Sequence, residues 1–302
     1  MLFRILSRLL LLGAVFGGAF YVGKIRSPQR SVEMSRDAFL PTLYPLTNRF
    51  FTIVIVGYNN GAYLEKTLRS AFFQNYSDYR IVYIDDASTD GSFDLARDLI
   101  YASDQMLRTT LVQNEQRLGV LENLARAVET CQDHEIVVVL GGEDWLAHEW
   151  VLQRLNQYYE NPDLWMSYGQ YREYPQYSLG LSRPMPEPEK PVRQQPFFAS
   201  HLKTFYASLF KQISIDDFTD HGVFYQAAAD FAYMLPMLEM AGDHAGFIPD
   251  ILYIANRAAL MKEDRETALR CEKSIRSMAA YEPLQWRVLP QKQEALSDEG
   301  TL

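Results

Sequence analysis

Phe51-Thr-Ile-Val-Ile-Val-Gly-Tyr-Asn-Asn60 and Ile81-Val-Tyr-Ile-Asp-Asp-Ala-Ser-Thr-Asp-Gly91 decide the fold. In each, a β-branched and aromatic run stops at a polar cluster, and a helical pattern follows, the signature of buried parallel strands in β-α-β-α order. Leu64, Leu68, Ala71 and Phe72 mark the inward face of the first helix, and Phe93, Ala96, Leu99 and Ile100 that of the second, which Ser92 is expected to cap. A third strand is read over Thr109 to Gln113, a third helix turns Val120, Leu124, Ala127 and Val128 inward, and Glu135 to Leu140 forms a fourth strand. In open α/β sheets ligands bind beyond the carboxyl ends of the strands, so Tyr58, Asn59, Asp85, Asp86 and Ser88 are candidate binding residues.

A strand ending in Tyr58-Asn59, then Tyr63-Leu-Glu65, Gln74-Asn-Tyr76 and Asp85-Asp-Ala-Ser-Thr-Asp90, resembles the family 2 glycosyltransferases in order and spacing. The resemblance implies a GT-A fold: a mixed, mainly parallel α/β sheet flanked by helices. It also implies a nucleotide-diphospho-sugar donor, a divalent cation (Mn or Mg) and inversion at the anomeric carbon. By analogy with the family, Tyr58 stacks on the base and Asp86 hydrogen-bonds it, with uracil expected.

Gly119 opens the third helix, and a helix N-terminus beside a glycine suits phosphate because its free amides and dipole favour anions. The resemblance points Gly119 and Asn123 toward the donor; Arg117 is either a phosphate contact or an ordinary surface arginine. Gly141-Gly-Glu-Asp144 follows the fourth strand where the family carries its Asp-x-Asp-type motif. Gly141 replaces the usual first aspartate, which leaves Asp144 as the expected metal ligand and Glu143 as its support; hard cations take such oxygen ligands. Asp230, at the start of a helix interrupted by Pro236, reads by itself as a cap or dipole partner. The resemblance makes it the catalytic base. His201, with Lys203, is a candidate diphosphate contact, although a lone histidine is more often structural; His148 and His221 show no metal spacing with it.

Leu9 to Gly23 holds no charge and lies between Arg4 and Arg8 on one side and Lys24, Arg26 and Arg30 on the other. A spanning helix needs about 20 mostly apolar residues, so an anchor here requires Leu2 to Leu6 to enter the bilayer too, with Arg8 snorkelling. A cleaved signal peptide, with a Gly17-x-Ala19 site, is the competing reading. The resemblance favours the anchor, because activated sugars are made in the cytosol; the catalytic domain would be cytosolic in a bacterium and lumenal in a eukaryotic Golgi. The expected organisation is residues 1–26 as anchor, 27–49 as linker, 50–260 as the GT-A domain and 261–302 as a helix and tail. Within the domain, 50–145 is the nucleotide-sugar half and 146–260 the acceptor half. The acceptor half carries the proline-rich stretch 172–196, whose prolines exclude regular structure over most of its length. That stretch is either a mobile lid or a disordered insertion.

A chain of 302 residues, 48% hydrophobic, is long enough to bury a substantial core. A net charge of −9 argues against nucleic acid as a partner, since that needs a basic footprint. Cys131 and Cys271 make neither a disulfide framework nor a thiolate zinc site. No Gly-x-Gly-x-x-Gly follows the first strand, so the dinucleotide turn of a Rossmann dehydrogenase is missing. Gln285-Trp-Arg287 is not the Gln-x-x-Arg-Trp motif of processive synthases. Transfer of one sugar to a lipid-linked, glycan or protein acceptor is therefore expected. The competing reading is a membrane-tethered, catalytically degenerate nucleotide-sugar-binding protein of the same fold, motivated by Gly141 and Gly142.

Overall fold

The first two apolar runs are strands β1 (Phe51–Gly57) and β2 (Tyr79–Asp85), joined by helix α1 (Gly61–Phe72). The structure is a computed structural model that describes residues 48–185, 190–259 and 264–285. The alternation continues through α2 (Ser92–Ala102), β3 (Thr109–Gln113), α3 (Val120–Glu129) and β4 (Ile136–Gly141). There follow β5 (Trp145–Leu146), α4 (Val151–Tyr158), β6 (Met166–Tyr174), β7 (Ser178–Leu179), β8 (Lys203–Tyr206) and the short α5 (Ala207–Phe210). The small hairpin β9 (Thr219–Asp220) and β10 (Val223–Phe224) precedes α6 (Ala229–Ala241), β11 (Ala245–Asn256) and α7 (Arg265–Ser277).

The main sheet runs β3-β2-β1-β4-β8-β6-β11-β5, with β7 beside β6. The expected mixed sheet is present, but "mainly parallel" describes only its first four strands and the β6–β11 pair. β8 runs antiparallel to both β4 and β6. It enters from a long connection rather than a crossover helix, and an antiparallel strand needs no crossover. Side chains of β1 alternate across the sheet: Val54 packs with α3 and α6, while Phe51, Ile53 and Ile55 pack with α1, α2 and α4. The continuous apolar runs are thus explained by burial on both faces.

Several local expectations are corrected. The α2 cap is Gly91, at φ 87, where a side chain would be strained, and Ser92 is instead the first helical residue, bonded to Asp90. Val120 is exposed rather than inward. Pro236 lies inside α6 without ending it. The described residues of the proline-rich stretch include regular structure: β7 and a 3₁₀ turn at Val192–Gln194. Arg193 in that turn makes a bidentate, buried ion pair with Glu239 at 2.8 and 2.9 Å, and it also donates to the Ile275 carbonyl on α7. Helix α7, assigned from sequence to a separate C-terminal element, buries Cys271 and Ile275 in the same core. Both cysteines are free and buried. The anchor or signal-peptide segment and most of the linker lie outside the described residues. Among the described residues no helix is long and apolar enough to cross a membrane.

Candidate active site

The sheet reverses its winding at β1, which is flanked by β2 on one side and β4 on the other, so a crevice opens at the carboxyl ends of β1 and β4. The backbone there is packed too tightly for a side chain at 142. A Cβ on Gly142 would stand 2.6 Å from the Val56 carbonyl and 2.7 Å from the Gly57 Cα. Buried Asn60 fixes the approach by donating to the Gly142 carbonyl at 2.6 Å. A cleft of about 260 Å³ results, lined by Val56, Tyr58, Asp86, Arg117, Glu143 and Asp144 among others.

One wall of the cleft is electrostatic in origin. Asp86 is buried, and its Oδ1 accepts from the Leu118 amide at 2.8 Å, Asn114 Nδ2 at 2.9 Å and Asn123 Nδ2 at 2.8 Å, while Oδ2 accepts from the Gly119 amide at 2.9 Å. Burial alone would raise this carboxyl, but the four donors outweigh it and hold it below the usual carboxylate range. Asp86 and Asn123 therefore shape the 114–119 loop around Gly119, whose φ of 89 needs a glycine. Arg117, brought over by that loop, stacks its guanidinium 4.0 Å above the Tyr58 ring. Asp86→Ala would leave four N–H donors without their acceptor. An expected loss of about 2–4 kcal/mol follows, read as a lower urea midpoint at unchanged slope; an unchanged midpoint would refute this role.

The other predicted residues divide between the cleft and its scaffold. Asn59 and Ser88 lock two loops together: the Asn59 amide donates to Ser88 Oγ at 2.9 Å and the Thr89 amide to Asn59 Oδ1 at 2.8 Å. Asp85 is fully buried, with Oδ1 accepting from the Ser88 amide and Oδ2 buried without a partner.

At the β4 end, Asp144 accepts from Tyr253 Oη through Oδ2 and from the Asn256 amide, at 2.6 Å, through Oδ1. Burial raises its carboxyl despite these bonds. Burial and the adjacent Asp144 charge push the neighbouring Glu143 up to about 7. The Tyr253 ring stacks on His201, centroids 4.4 Å apart and planes within 3°. His201 is driven down to about 3 by burial and by the Lys203 charge, so it is neutral near pH 7. Lys203, on β8 and almost wholly buried, donates to Asp230 Oδ2 at 2.7 Å, and Tyr233 Oη donates to Asp230 Oδ1 at 3.0 Å. Asp230 is in the first turn of α6, whose cap is Ala228 at φ 57. Its carboxylate accepts from the side chains of Lys203 and Tyr233 while Ala228 holds the cap position, so it is not the cap, and it stays 41% exposed. Two linked sets thus lie at this end of the sheet, Asp144–Tyr253–His201 and Lys203–Asp230, with the Lys203 charge acting on His201 two residues away.

Tyr253, Asn256 and Gln226 were not singled out from the sequence. The first two lie on an apolar strand without a polar terminus of their own before Asn256, and Gln226 lines the cleft from the loop ahead of α6.

Comparison with known proteins agrees with this architecture. The model of glycosyl transferase family 2 matches residues 52–230, and the chain belongs to that family. An uncharacterised protein of Mycobacterium tuberculosis is 32% identical over 121 residues, covering 40% of this chain and 36% of that one. An uncharacterised glycosyltransferase of Nostoc sp. is 30% identical over 114 residues, covering 37% and 34%. The matches thus span about a third of the length of these curated relatives, 36% and 34% respectively. Among solved structures, S. aureus TarS 1-349 in complex with UDP-GlcNAc has a TM-score of 0.57 at 14% identity, over 75% of this chain and 66% of that one. The mannosyltransferase PcManGT from Pyrobaculum calidifontis in complex with GDP-Man and Mn2+ scores 0.56 at 21% identity, over 78% and 67%. At these identities the likeness is one of fold, a GT-A-like mixed α/β sheet flanked by helices.

Proposed function

We propose that the protein is an inverting glycosyltransferase that moves one sugar from a nucleotide-diphospho-sugar, with uridine as the nucleoside, to a hydroxyl of a lipid-linked, glycan or protein acceptor. The observation that carries the reading is the pair of separate carboxylate centres, Asp144 and Asp230, held at one end of the sheet by Tyr253 and Lys203 respectively. A displacement at an anomeric carbon can use both: one centre to hold a cation near the leaving diphosphate and one near the incoming hydroxyl. Family membership, and neighbours of the same fold holding UDP-GlcNAc and GDP-Man, support the donor class.

In the proposed reaction Asp230 accepts the acceptor's hydroxyl proton as that oxygen bonds to the anomeric carbon. The bond from this carbon to the diphosphate oxygen breaks, and the nucleoside diphosphate leaves with the electron pair. Lys203 keeps Asp230 ionised for this step. Burial raises the Asp230 carboxyl, but the Lys203 charge and the hydrogen bonds from Lys203 and Tyr233 prevail and hold it below the usual range. Tyr58 and Arg117 form the wall on which the base would stack.

A divalent cation fits the Asp144–Glu143 pair, because two adjacent, partly buried carboxylates repel one another and a hard cation relieves that repulsion. Among the described residues no three acidic, His or Cys side chains converge on a metal-sized site, so donor phosphates would have to complete the shell. Manganese or magnesium held there would neutralise charge on the diphosphate.

Thermal-shift measurements with UDP- and GDP-sugars, with and without Mn2+, test the reading. UDP-sugars are expected to raise the melting temperature most, and with Mn2+ present to be slowly hydrolysed. No shift with any nucleotide sugar would sink it, and a shift without turnover would favour the degenerate binding protein. The Leu9–Gly23 segment is proposed to stay attached as an anchor. A mature N-terminus near Phe20, by mass spectrometry of the native protein, would overturn that.

A further inference from the structure

The glycine at position 141 is packed against a group from another strand. A Cβ on Gly141 would lie 2.5 Å from Asp144 Oδ2 and 3.1 Å from Tyr253 Oη. The Tyr253 hydroxyl donates to that Asp144 oxygen and accepts the Gly141 amide at 3.1 Å, so one phenol ties the carboxylate to the glycine backbone. Asn256, three residues further along β11, donates its amide to the other Asp144 oxygen at 2.6 Å. Both bonds to Asp144 therefore come from one strand, anchored by the antiparallel pairing of Tyr253 with Leu146 and of Ile254 with Trp145. The phenol has no room to swing away, since its ring is 1% exposed and stacked on His201.

We infer that Tyr253 is a positioning residue for the cation site: it fixes Asp144 in one orientation, and Gly141 and Tyr253 form a matched pair in which an acidic side chain at 141 is excluded while the phenol is present. The inference rests on the proposed reading of Asp144 as the cation ligand. A group that orients a ligand rather than binding the metal should affect affinity strongly, typically about 10–100-fold. Restoring the family-type aspartate at 141 should harm this site, because its Cβ would displace a carboxylate held by two donors.

The test is a double-mutant cycle on the full chain, with Mn2+ affinity in the presence of UDP read from the electron paramagnetic resonance signal of free Mn2+. Tyr253→Phe keeps the ring and its stacking, and unchanged circular dichroism and melting would show that the fold is intact. It is expected to weaken Mn2+ binding by about 10–100-fold, and Gly141→Asp by a comparable factor. The double variant should bind Mn2+ more tightly than either single one, because removing the hydroxyl frees Asp144 to make room. Tyr253→Phe binding within about two-fold of wild type, or losses that simply multiply in the double variant, would overturn the inference while leaving the metal reading intact. Wild-type protein that binds UDP but not Mn2+ would overturn both.

Discussion

Asp230→Asn is expected to cut sugar transfer by about 10²–10⁴-fold, the usual contribution of a positioned base, while nucleotide affinity stays near the wild-type value. The sequence alone left a helix cap as the competing explanation, and a cap tolerates asparagine because the amide oxygen still accepts. In the structure Ala228 holds the cap position, and both Asp230 oxygens are engaged from outside the helix backbone, by Lys203 and Tyr233. The substitution therefore also removes the counter-charge of a lysine that is 3% exposed. The Asp230 side chain is itself 41% exposed, so solvent screens the loss and the cost should be about 1–2 kcal/mol rather than that of a fully buried pair.

Transfer surviving within a few-fold would remove Asp230 as the base, and Glu239 would not replace it, because its side chain is 6% exposed and locked in a bidentate pair with Arg193, out of an acceptor's reach. The pH dependence separates the partners. A carboxyl depressed by Lys203 stays ionised through mild acid. Its stabilising contribution is complete above the ordinary carboxylate pKa and is lost as pH falls through the lower folded value. In Lys203→Met the burial remains but the charge and the donor are gone, so the acid limb of kcat/KM should move up toward neutral pH. An unmoved limb would show that Lys203 does not hold Asp230 ionised.

The half of the candidate site built on parallel strands was legible because each strand is a continuous apolar run stopped by polar residues that line the cleft: Tyr58 after β1, Asp86 just after the end of β2, Glu143 and Asp144 after β4. The half contributed by β8 and β11 was legible only in part: His201 and Lys203 stand out in the sequence as candidate diphosphate contacts, but not the pairing of Lys203 with Asp230 or the stacking of His201 on Tyr253. Lys203 sits within the four-residue β8, and Tyr253 is enclosed in the apolar β11; their roles arise from strand order, which local periodicity does not encode. Asn59, Ser88 and Asn123 show what position alone leaves out. Their positions were read correctly, but their polar groups are consumed in holding loops, which only a hydrogen-bond map reveals. Val120 was placed inward by its spacing, yet α3 begins at the cleft, so its first residue lines the opening instead of the core.

Asp144→Asn is expected to weaken the Mn2+-dependent part of nucleotide-sugar binding by about 100-fold or more, since affinity for a hard cation follows the number of charged oxygen ligands. The amide oxygen can still accept from the Asn256 amide, so the β4–β11 connection should survive and the fold with it. What disappears is a full negative charge and the oxygen to which Tyr253 donates. Glu143 gives the experiment a second reading. Burial and the Asp144 charge raise its carboxyl to about 7, and with a neutral residue at 144 the charge contribution vanishes, so the Glu143 pKa should fall and its ionised fraction at neutral pH should increase. Residual Mn2+ binding in Asp144→Asn that disappears on adding Glu143→Gln would mark Glu143 as a supporting ligand. Metal-free binding of UDP should be unchanged throughout, because the wall formed by Tyr58, Arg117 and the Asp86-bound loop is untouched. If Mn2+ dependence is the same in wild type and Asp144→Asn, Asp144 is no ligand, and the charge on the leaving diphosphate would have to be met by Arg117, which lines the cleft.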